Sequence, residues 1–104
     1  MSYIKLKSEY IDLDKYRDYF DNIFYYKKGT SIYHNPYGPA YIIENVYKAY
    51  LIEGQWHRLD GPARIWINCK EEYCINGYSL TKEEFDIHPE RLKYLKKEHL
   101  ICLM

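Results

Sequence analysis

Residues 33–55 read YHNPYGPAYIIENVYKAYLIEGQ, and residues 56–78 read WHRLDGPARIWINCKEEYCINGY. Aligned without a gap, the two segments are identical at nine of 23 positions. The shared positions are His34/His57, Gly38/Gly61, Pro39/Pro62, Ala40/Ala63, Ile42/Ile65, Asn45/Asn68, Tyr50/Tyr73, Ile52/Ile75 and Gly54/Gly77. Agreement at a fixed period indicates an internal duplication in which each copy is one supersecondary unit. A Tyr-x-x-x-Gly pattern from Tyr25 to Gly29 indicates half a copy upstream.

Each segment is predicted to form a β-hairpin. Residues 63–67 and 72–75 are rich in β-branched and aromatic side chains, and Asn76-Gly77 after them is a strong hairpin-turn signal. Residues 40–43 and 49–52 repeat this order in the first segment. Because side chains alternate along a strand, each hairpin has two distinct faces. One face is predicted to carry Ala40, Ile42, Ala63 and Ile65, and the other Tyr41, Ile43, Arg64 and Trp66.

The flanks are predicted to be helical. Residues 13–21 follow Asp12, a capping residue type, and place Leu13, Tyr16 and Phe20 at helical spacing. Thr81 and Glu84 fit a capping box. A last helix is expected from Pro89 to about residue 100, because proline is favoured in the first helical turn.

The apolar positions of the last helix are expected to face the domain, and its basic positions to face solvent. The apolar set is Leu92, Leu95 and Leu100, and the basic set is Arg91, Lys93, Lys96 and Lys97.

These patterns predict an α+β fold: an antiparallel β-meander of hairpin repeats with short flanking helices at both termini. Residues 1–104 are interpreted as a single domain. Its parts are an N-terminal flank with a short helix over residues 1–22, hairpin repeats over residues 23–78 and a C-terminal helical flank over residues 79–104. A meander of roughly five strands leaves an open edge, which either a flanking segment covers or a second copy pairs with, as in a possible homodimer.

Composition narrows the classes of function. The 15 basic and 15 acidic residues cancel, so the excess positive charge that a nucleic-acid binder needs is missing, and a nucleic-acid partner is not expected. No apolar run approaches the ~20 residues of a membrane span, and no signal sequence follows Met1. Three cysteines form no disulfide framework and suit reduced thiols, so a cytoplasmic protein is expected. Fourteen tyrosines are more than a core of this size can hold, so some rings are expected at the surface.

Residues 56–63, Trp-His-Arg-Leu-Asp-Gly-Pro-Ala, followed by an alternating strand and Tyr73-x-x-Asn76-Gly77, resemble the MORN-like repeats of the His-Arg-x-Asp-Gly-Pro-Ala type. Such repeats occur in tailed phages, giant DNA viruses and some bacteria. The resemblance covers about residues 23–86. The first copy departs from the pattern, because Asn35, Pro36 and Tyr37 stand where the second has Arg58, Leu59 and Asp60. The resemblance implies a meander of hairpins used for protein contacts, with no agreed catalytic residues.

Seven residues are candidates for binding, because aromatic and arginine side chains are enriched at interaction hot spots. They are Tyr41, Tyr47, Trp56, His57, Arg58, Arg64 and Trp66. No catalytic residue is assigned: His57 recurs as His34 without a nearby Asp, and Asp60-Gly61 is a turn dipeptide. No metal ligand is assigned either, since the cysteines and histidines lack zinc-site spacing. No cofactor is expected.

The function expected from these observations is that of a non-enzymatic protein-binding module, virus- or phage-encoded, that docks a host or viral protein through an aromatic sheet face. Inhibition of a host defence system is a role that the family context suggests, and the host cytoplasm would then be the location. Two alternatives stay open. One is capture of a small ligand or nucleotide, with tyrosines on a base and Arg58 or Arg64 on a phosphate. The other is a hydrolase or nuclease that uses His57 and Asp60.

Overall fold

The computed structural model describes the backbone of residues 3–103 and the side chains of residues 3–98. Within these residues the chain forms ten strands and two helices. The strands are β1 (Tyr3–Leu6), β2 (Leu13–Asp18), β3 (Ile23–Lys27), β4 (Tyr41–Ile43), β5 (Tyr47–Ala49), β6 (Leu51–Ile52), β7 (Gln55–Trp56), β8 (Arg64–Trp66), β9 (Glu71–Ile75) and β10 (Tyr78–Leu80). The helices are α1 (Lys82–Asp86) and α2 (Pro89–Leu103).

Eight strands form one antiparallel sheet in the order β1-β2-β3-β4-β5-β8-β9-β10, and β6 pairs with β7 beside it. Every neighbour in the large sheet is the next strand along the chain, except that β5 pairs with β8 across the small hairpin. The antiparallel, meander-like sheet expected from the alternating pattern is therefore confirmed. The number of strands is larger than the five expected, because the N-terminal flank also joins the sheet.

The helix predicted over residues 13–21 is wrong. Residues 13–18 form β2, which lies between β1 and β3 and pairs with both. Leu13 is buried on one side of this strand, and Tyr16 contacts Phe24 on the other side. The spacing of Leu13, Tyr16 and Phe20 suited a helix, but two neighbouring strands supply ladder hydrogen bonds to β2 along its length. Phe20 lies in the turn that follows and is exposed.

The segments 33–55 and 56–78 make the same backbone hydrogen bonds at positions 23 residues apart. The bonds are Asn35 N to Leu51 O and Arg58 N to Cys74 O, Ala40 N to Ala49 O and Ala63 N to Glu72 O, and Gly54 N to Tyr33 O and Gly77 N to Trp56 O. Both end in a two-residue turn with positive φ at each position, Glu53-Gly54 (51° and 80°) and Asn76-Gly77 (54° and 85°). These angles match the type I′ turn that Asn-Gly predicts.

The C-terminal helices begin where the sequence indicates. Thr81 caps α1: its hydroxyl accepts from the Glu84 N–H, and the Glu84 carboxylate accepts from the Thr81 N–H, which completes the predicted capping box. Phe85 is buried against Tyr73 of β9, with ring centroids 4.7 Å apart. The helix α2 starts at Pro89 as predicted and ends three residues later than expected.

The orientation predicted for α2 is only partly correct: Lys93, Lys96 and Lys97 are exposed as expected, but three other residues depart from it. Arg91, expected in solvent, is half-buried, and its guanidinium donates to the Leu59 carbonyl at 2.5 Å. Leu92 and Leu95, expected to face the domain, are 48% and 38% exposed. The reason is that the side of α2 carrying Arg91 meets the loop before β8, where the Leu59 carbonyl accepts from the guanidinium. Leu100 lies outside the described side chains.

Candidate functional site

One face of the large sheet is lined with aromatic rings, and we call it the aromatic face. Its rings are Tyr3, Tyr16, Phe24, Tyr26, Tyr41, Tyr47 and Trp66, with Tyr33 and Trp56 adjoining them. They share a face because their registers place Tyr16 opposite Phe24, Phe24 opposite Tyr41 and Tyr47 opposite Trp66. Among the residues that the structure describes, α1 packs on the opposite face through Tyr73, and no helix lies on the aromatic face.

Phe24 is the centre of one half of the aromatic face. The rings of five tyrosines lie between 5.3 and 6.1 Å from its centroid. They are Tyr3, Tyr16, Tyr26, Tyr33 and Tyr41. Phe24 is only 5% exposed as a result, whereas all five tyrosines keep part of their surface in solvent. The tyrosines therefore bury one phenylalanine and still present their own rings and hydroxyls outward.

Arg64 is the centre of the other half. Its guanidinium lies 4.2 Å from the Trp56 centroid and 4.7 Å from the Trp66 centroid. Its Nε donates to the Tyr47 hydroxyl at 2.9 Å, and one Nη pairs with the Glu72 carboxylate at 3.2 Å. The Arg64 cation is thus paired with Glu72 of β9 and lies close to the faces of two indoles, which restricts the rings around it.

A cleft of about 480 Å³ opens between these two halves, and we call it the aromatic cleft. It is lined by Tyr33, Tyr41, Tyr47, Ala49, Leu51, Gly54, Gln55, Trp56 and Gly77. Burial, followed by the neighbouring Tyr26 and Tyr41, raises the pKa of Tyr33 to about 12. Burial, followed by Asp18, also raises the pKa of Tyr41. The Tyr33 hydroxyl donates to Tyr26, whereas the Tyr41 oxygen accepts from Asn22 and its own proton can still be donated.

The seven predicted binding residues do not form one site. Trp56, Arg64 and Trp66 meet at the centre of the second half, and Tyr41 and Tyr47 line the aromatic cleft beside them. His57 and Arg58 instead line a different cleft, of about 460 Å³, which also includes Tyr50, Asp60 and Tyr94.

Arg58 and Asp60 hold the turn in which they lie. Arg58 Nε donates to the Asp60 carboxylate at 2.9 Å, and an Nη donates to the Pro62 carbonyl at 3.1 Å. In the first segment, Asn35 donates to the Pro39 carbonyl at 3.0 Å and accepts from the Tyr37 N–H at 2.9 Å. The shorter asparagine thus bridges the same positions as the Arg58–Asp60 pair, which accounts for the departure between the two copies.

His57 is also tied to the backbone. Its Nδ1 accepts from the Asn76 N–H at 2.9 Å, and His34 Nδ1 accepts from the Glu53 N–H at the same distance 23 residues earlier. Desolvation lowers the pKa of His57. Glu90 opposes this with a smaller effect that raises the pKa, and His88 lowers it further. Nδ1 of His57 is therefore engaged in this turn, and the Asp60 carboxylate accepts from Arg58.

The two cysteines whose side chains the structure describes are free thiols that differ in exposure. Cys74 is buried, and burial followed by the Glu72 carboxylate raises the pKa of its thiol to about 12. Cys69 is exposed at a turn, and the Cys102 side chain lies outside the described residues. Across the described part of the chain, no group of three or more His, Cys, Asp or Glu is arranged to hold a metal ion. Neither helix there is long and apolar enough to cross a membrane.

Sequence reasoning missed half of the aromatic face. Tyr16 was assigned to a helix, and Tyr3, Phe24, Tyr26 and Tyr33 were not singled out. The alternation of Phe24 and Tyr26 along one strand was the signal that could have found them. Comparison of the chain with protein-family models, with curated proteins and with solved structures found no match.

Proposed function

We propose that this chain is a non-enzymatic binding module of the MORN-like type that docks a host or viral protein through its aromatic face. The observation that carries this proposal is the set of rings from Tyr3 to Trp66, all partly exposed except the buried Phe24, on a face that no described helix covers. Tyrosine, tryptophan and arginine are the residue types most enriched at binding hot spots. Their fixed positions reduce the entropy lost on association.

The arrangement around Arg64 favours a protein partner over an anion. Two of the guanidinium contacts are already made inside the chain, to Tyr47 and Glu72, so little positive charge is left for a phosphate. Flat, rigid rings with hydroxyls at their tips suit a surface that is partly apolar and partly polar. Inhibition of a host defence complex would use the same face, because inhibition by binding requires high affinity and no catalysed reaction.

The test is affinity capture with two matched variants in neighbouring strands. Trp66→Ala removes a ring from the aromatic face, whereas Lys48→Ala changes an exposed side chain that points from β5 to the opposite face. Truncation of a central hot spot costs at least about 2 kcal/mol, so Trp66→Ala should weaken binding about thirtyfold. Lys48→Ala should leave binding unchanged. Equal capture by both variants, each shown to be folded by circular dichroism, would contradict the proposal.

A second candidate function is capture of a small neutral ligand in the aromatic cleft. The cleft volume of about 480 Å³ is within the size range of ligand pockets, and its lining is largely apolar. A nucleotide fits less well, because Arg58 and Arg64 both have internal partners. Ligand binding raises the melting temperature of the folded chain, so a thermal-shift screen of planar neutral compounds tests this candidate.

A further inference from the structure

The aromatic cleft is rigid where a partner would enter it. Tyr33 and Tyr41 meet edge to face with centroids 5.8 Å apart, and the Tyr47 hydroxyl is held by Arg64. Leu51, Ala49 and Ala40 form a buried hydrophobic cluster beneath these rings. The rings therefore pack against a buried hydrophobic cluster, and the binding surface is preorganised for a bound segment.

The lining of the aromatic cleft carries no ionised side chain. Its nine residues are tyrosine, tryptophan, glutamine, glycine, alanine and leucine, and the nearest cation, Arg64, is paired with Glu72. A charged segment would lose hydration in this cleft and gain no opposite charge in return. Charge complementarity therefore selects an uncharged partner segment.

The hydrogen-bonding groups of the cleft are rich in donors. The hydroxyls of Tyr41 and Tyr47, the Trp56 indole and the Gln55 amide can donate, whereas the Tyr33 hydroxyl already donates to Tyr26. The Tyr47 hydroxyl oxygen already accepts from Arg64, so the Tyr47 hydroxyl can act as a donor to a bound segment. A segment buried here must present bare carbonyls, because donors left unpaired on binding cost free energy.

Polyproline II segments have the matching chemistry. Their backbone makes no internal hydrogen bonds, so every carbonyl faces outward, and each proline lacks an N–H that would need an acceptor. Their flat rings pack against aromatic grooves. An α-helix, by contrast, has already paired its carbonyls. An added strand needs a free sheet edge, and neither β1 nor β10, the outer strands of the large sheet in the described residues, lines the cleft. The strands β6 and β7 of the small sheet do line it, but the Leu51 carbonyl already accepts from the Asn35 N–H and the Trp56 carbonyl from the Gly77 N–H.

We propose that the aromatic cleft binds a neutral, proline-rich segment of the partner protein in the polyproline II conformation. The inference rests on the proposed function, since it names the chemistry of the segment that the aromatic face docks. At about 3.1 Å per residue, a cleft of this volume accepts a short stretch of such a helix. The remaining rings of the aromatic face are left to contact the rest of the partner.

Selection from a random linear peptide library displayed on phage, with the full chain as bait, tests the inference without presupposing a sequence. We expect enriched peptides to contain spaced prolines and no net charge. A synthetic enriched peptide should lose at least about tenfold in affinity when its prolines are replaced by alanine. Titration by isothermal calorimetry supplies the affinities.

Two variants of the chain test the role of the donors. Trp56→Phe keeps a ring in the cleft but removes the indole N–H, and should weaken the enriched peptide about tenfold. Tyr19→Phe removes a donor from a ring that is 79% exposed in the turn before β3, and should leave the affinity unchanged. Equal affinity of wild type and Trp56→Phe would overturn the donor argument.

The outcomes separate this inference from the function on which it rests. Enrichment of charged or helix-forming peptides, or no enrichment at all, overturns the polyproline inference. If Trp66→Ala still abolishes capture of a protein partner in that case, docking through the aromatic face stands. If Trp66→Ala has no effect and no peptide is enriched, both proposals fall.

Discussion

His34 and His57 act as backbone acceptors at equivalent points of the two duplicated segments. Each ring accepts, at Nδ1, the N–H of the residue that opens a positive-φ turn. This explains why histidine recurs at that position although Asp60 has no acidic counterpart in the first copy. A neutral ring is required, because a protonated Nδ1 would be a donor facing a donor.

The stability contributed by His57 is therefore expected to depend on pH. Its pKa in the folded state is lowered, so the unfolded chain binds the proton more tightly, and this contribution falls as pH drops from the usual value near 6.5 through the lowered one. Urea unfolding at pH 7.5 and pH 5.5 measures the loss. His57→Asn, which keeps an acceptor near the Nδ1 position, should show a smaller loss between the two pH values.

His57→Ala provides the second arm of this test. It removes the acceptor at every pH and should cost about 0.5–1.5 kcal/mol at pH 7.5. Parallel pH profiles for wild type and His57→Asn would refute the role of the ring.

At the scale of elements, the fold depends on short hairpins with tight turns. The pairs β6–β7 and β9–β10 are each joined by two residues in the left-handed region, Glu53-Gly54 and Asn76-Gly77. Such turns match the twist of the strands they connect. Gly54 and Gly77 occupy the more positive angle of each turn, where a Cβ is unfavourable.

Gly54→Ala should destabilise the protein by about 1–2 kcal/mol, since φ is 80° at this position. Space is not the cause, because an added Cβ would lie 3.5 Å from its nearest neighbour, an ordinary contact. Gly38→Ala is the matched control: its φ is not positive, and the nearest atom to an added Cβ is 4.0 Å away. Its stability should change by less than about 0.5 kcal/mol. Equal losses in chemical denaturation would show that backbone angle does not decide the effect.

At the scale of the whole molecule, the chain is an open and elongated sheet. Its radius of gyration is 15.0 Å, compared with about 13 Å for a compact domain of this length. The buried apolar residues of the described chain number ten, and three of them are alanines. Aromatic side chains at the surface therefore bury apolar area that a thicker domain would bury in its core. Phe24, which is buried under tyrosines, is an example.

Phe24→Ala should cost about 3–5 kcal/mol of unfolding free energy, because it removes the ring on which five tyrosines converge. The matched control is Phe20→Ala, which truncates a ring that is 79% exposed in the turn after β2. Its expected change is within about 0.5 kcal/mol. Thermal and urea unfolding measure both variants. A small loss for Phe24→Ala would mean that the aromatic face contributes little to folding.

Features that depend on near neighbours could be predicted from the amino-acid sequence alone. The Asn76-Gly77 turn, the capping box at Thr81 and the start of α2 at Pro89 all follow from contacts within a few residues. The alternation of Tyr41 and Arg64 with their neighbours also predicted which side chains share a face. These preferences are expressed locally, so their pattern in the chain is enough to predict them.

Other features of the fold and of the site depend on contacts between segments that are distant in the sequence. Residues 13–18 became a strand because β1 and β3 pair with both of its edges, which no local spacing reveals. Arg91 turned inward because the Leu59 carbonyl, 32 residues away, lies within reach. Strand order also places Tyr16 and Phe24 on the aromatic face. It places His57 and Arg58 at a different cleft. Non-local pairing supplies hydrogen bonds and burial that outweigh a short segment's own propensity.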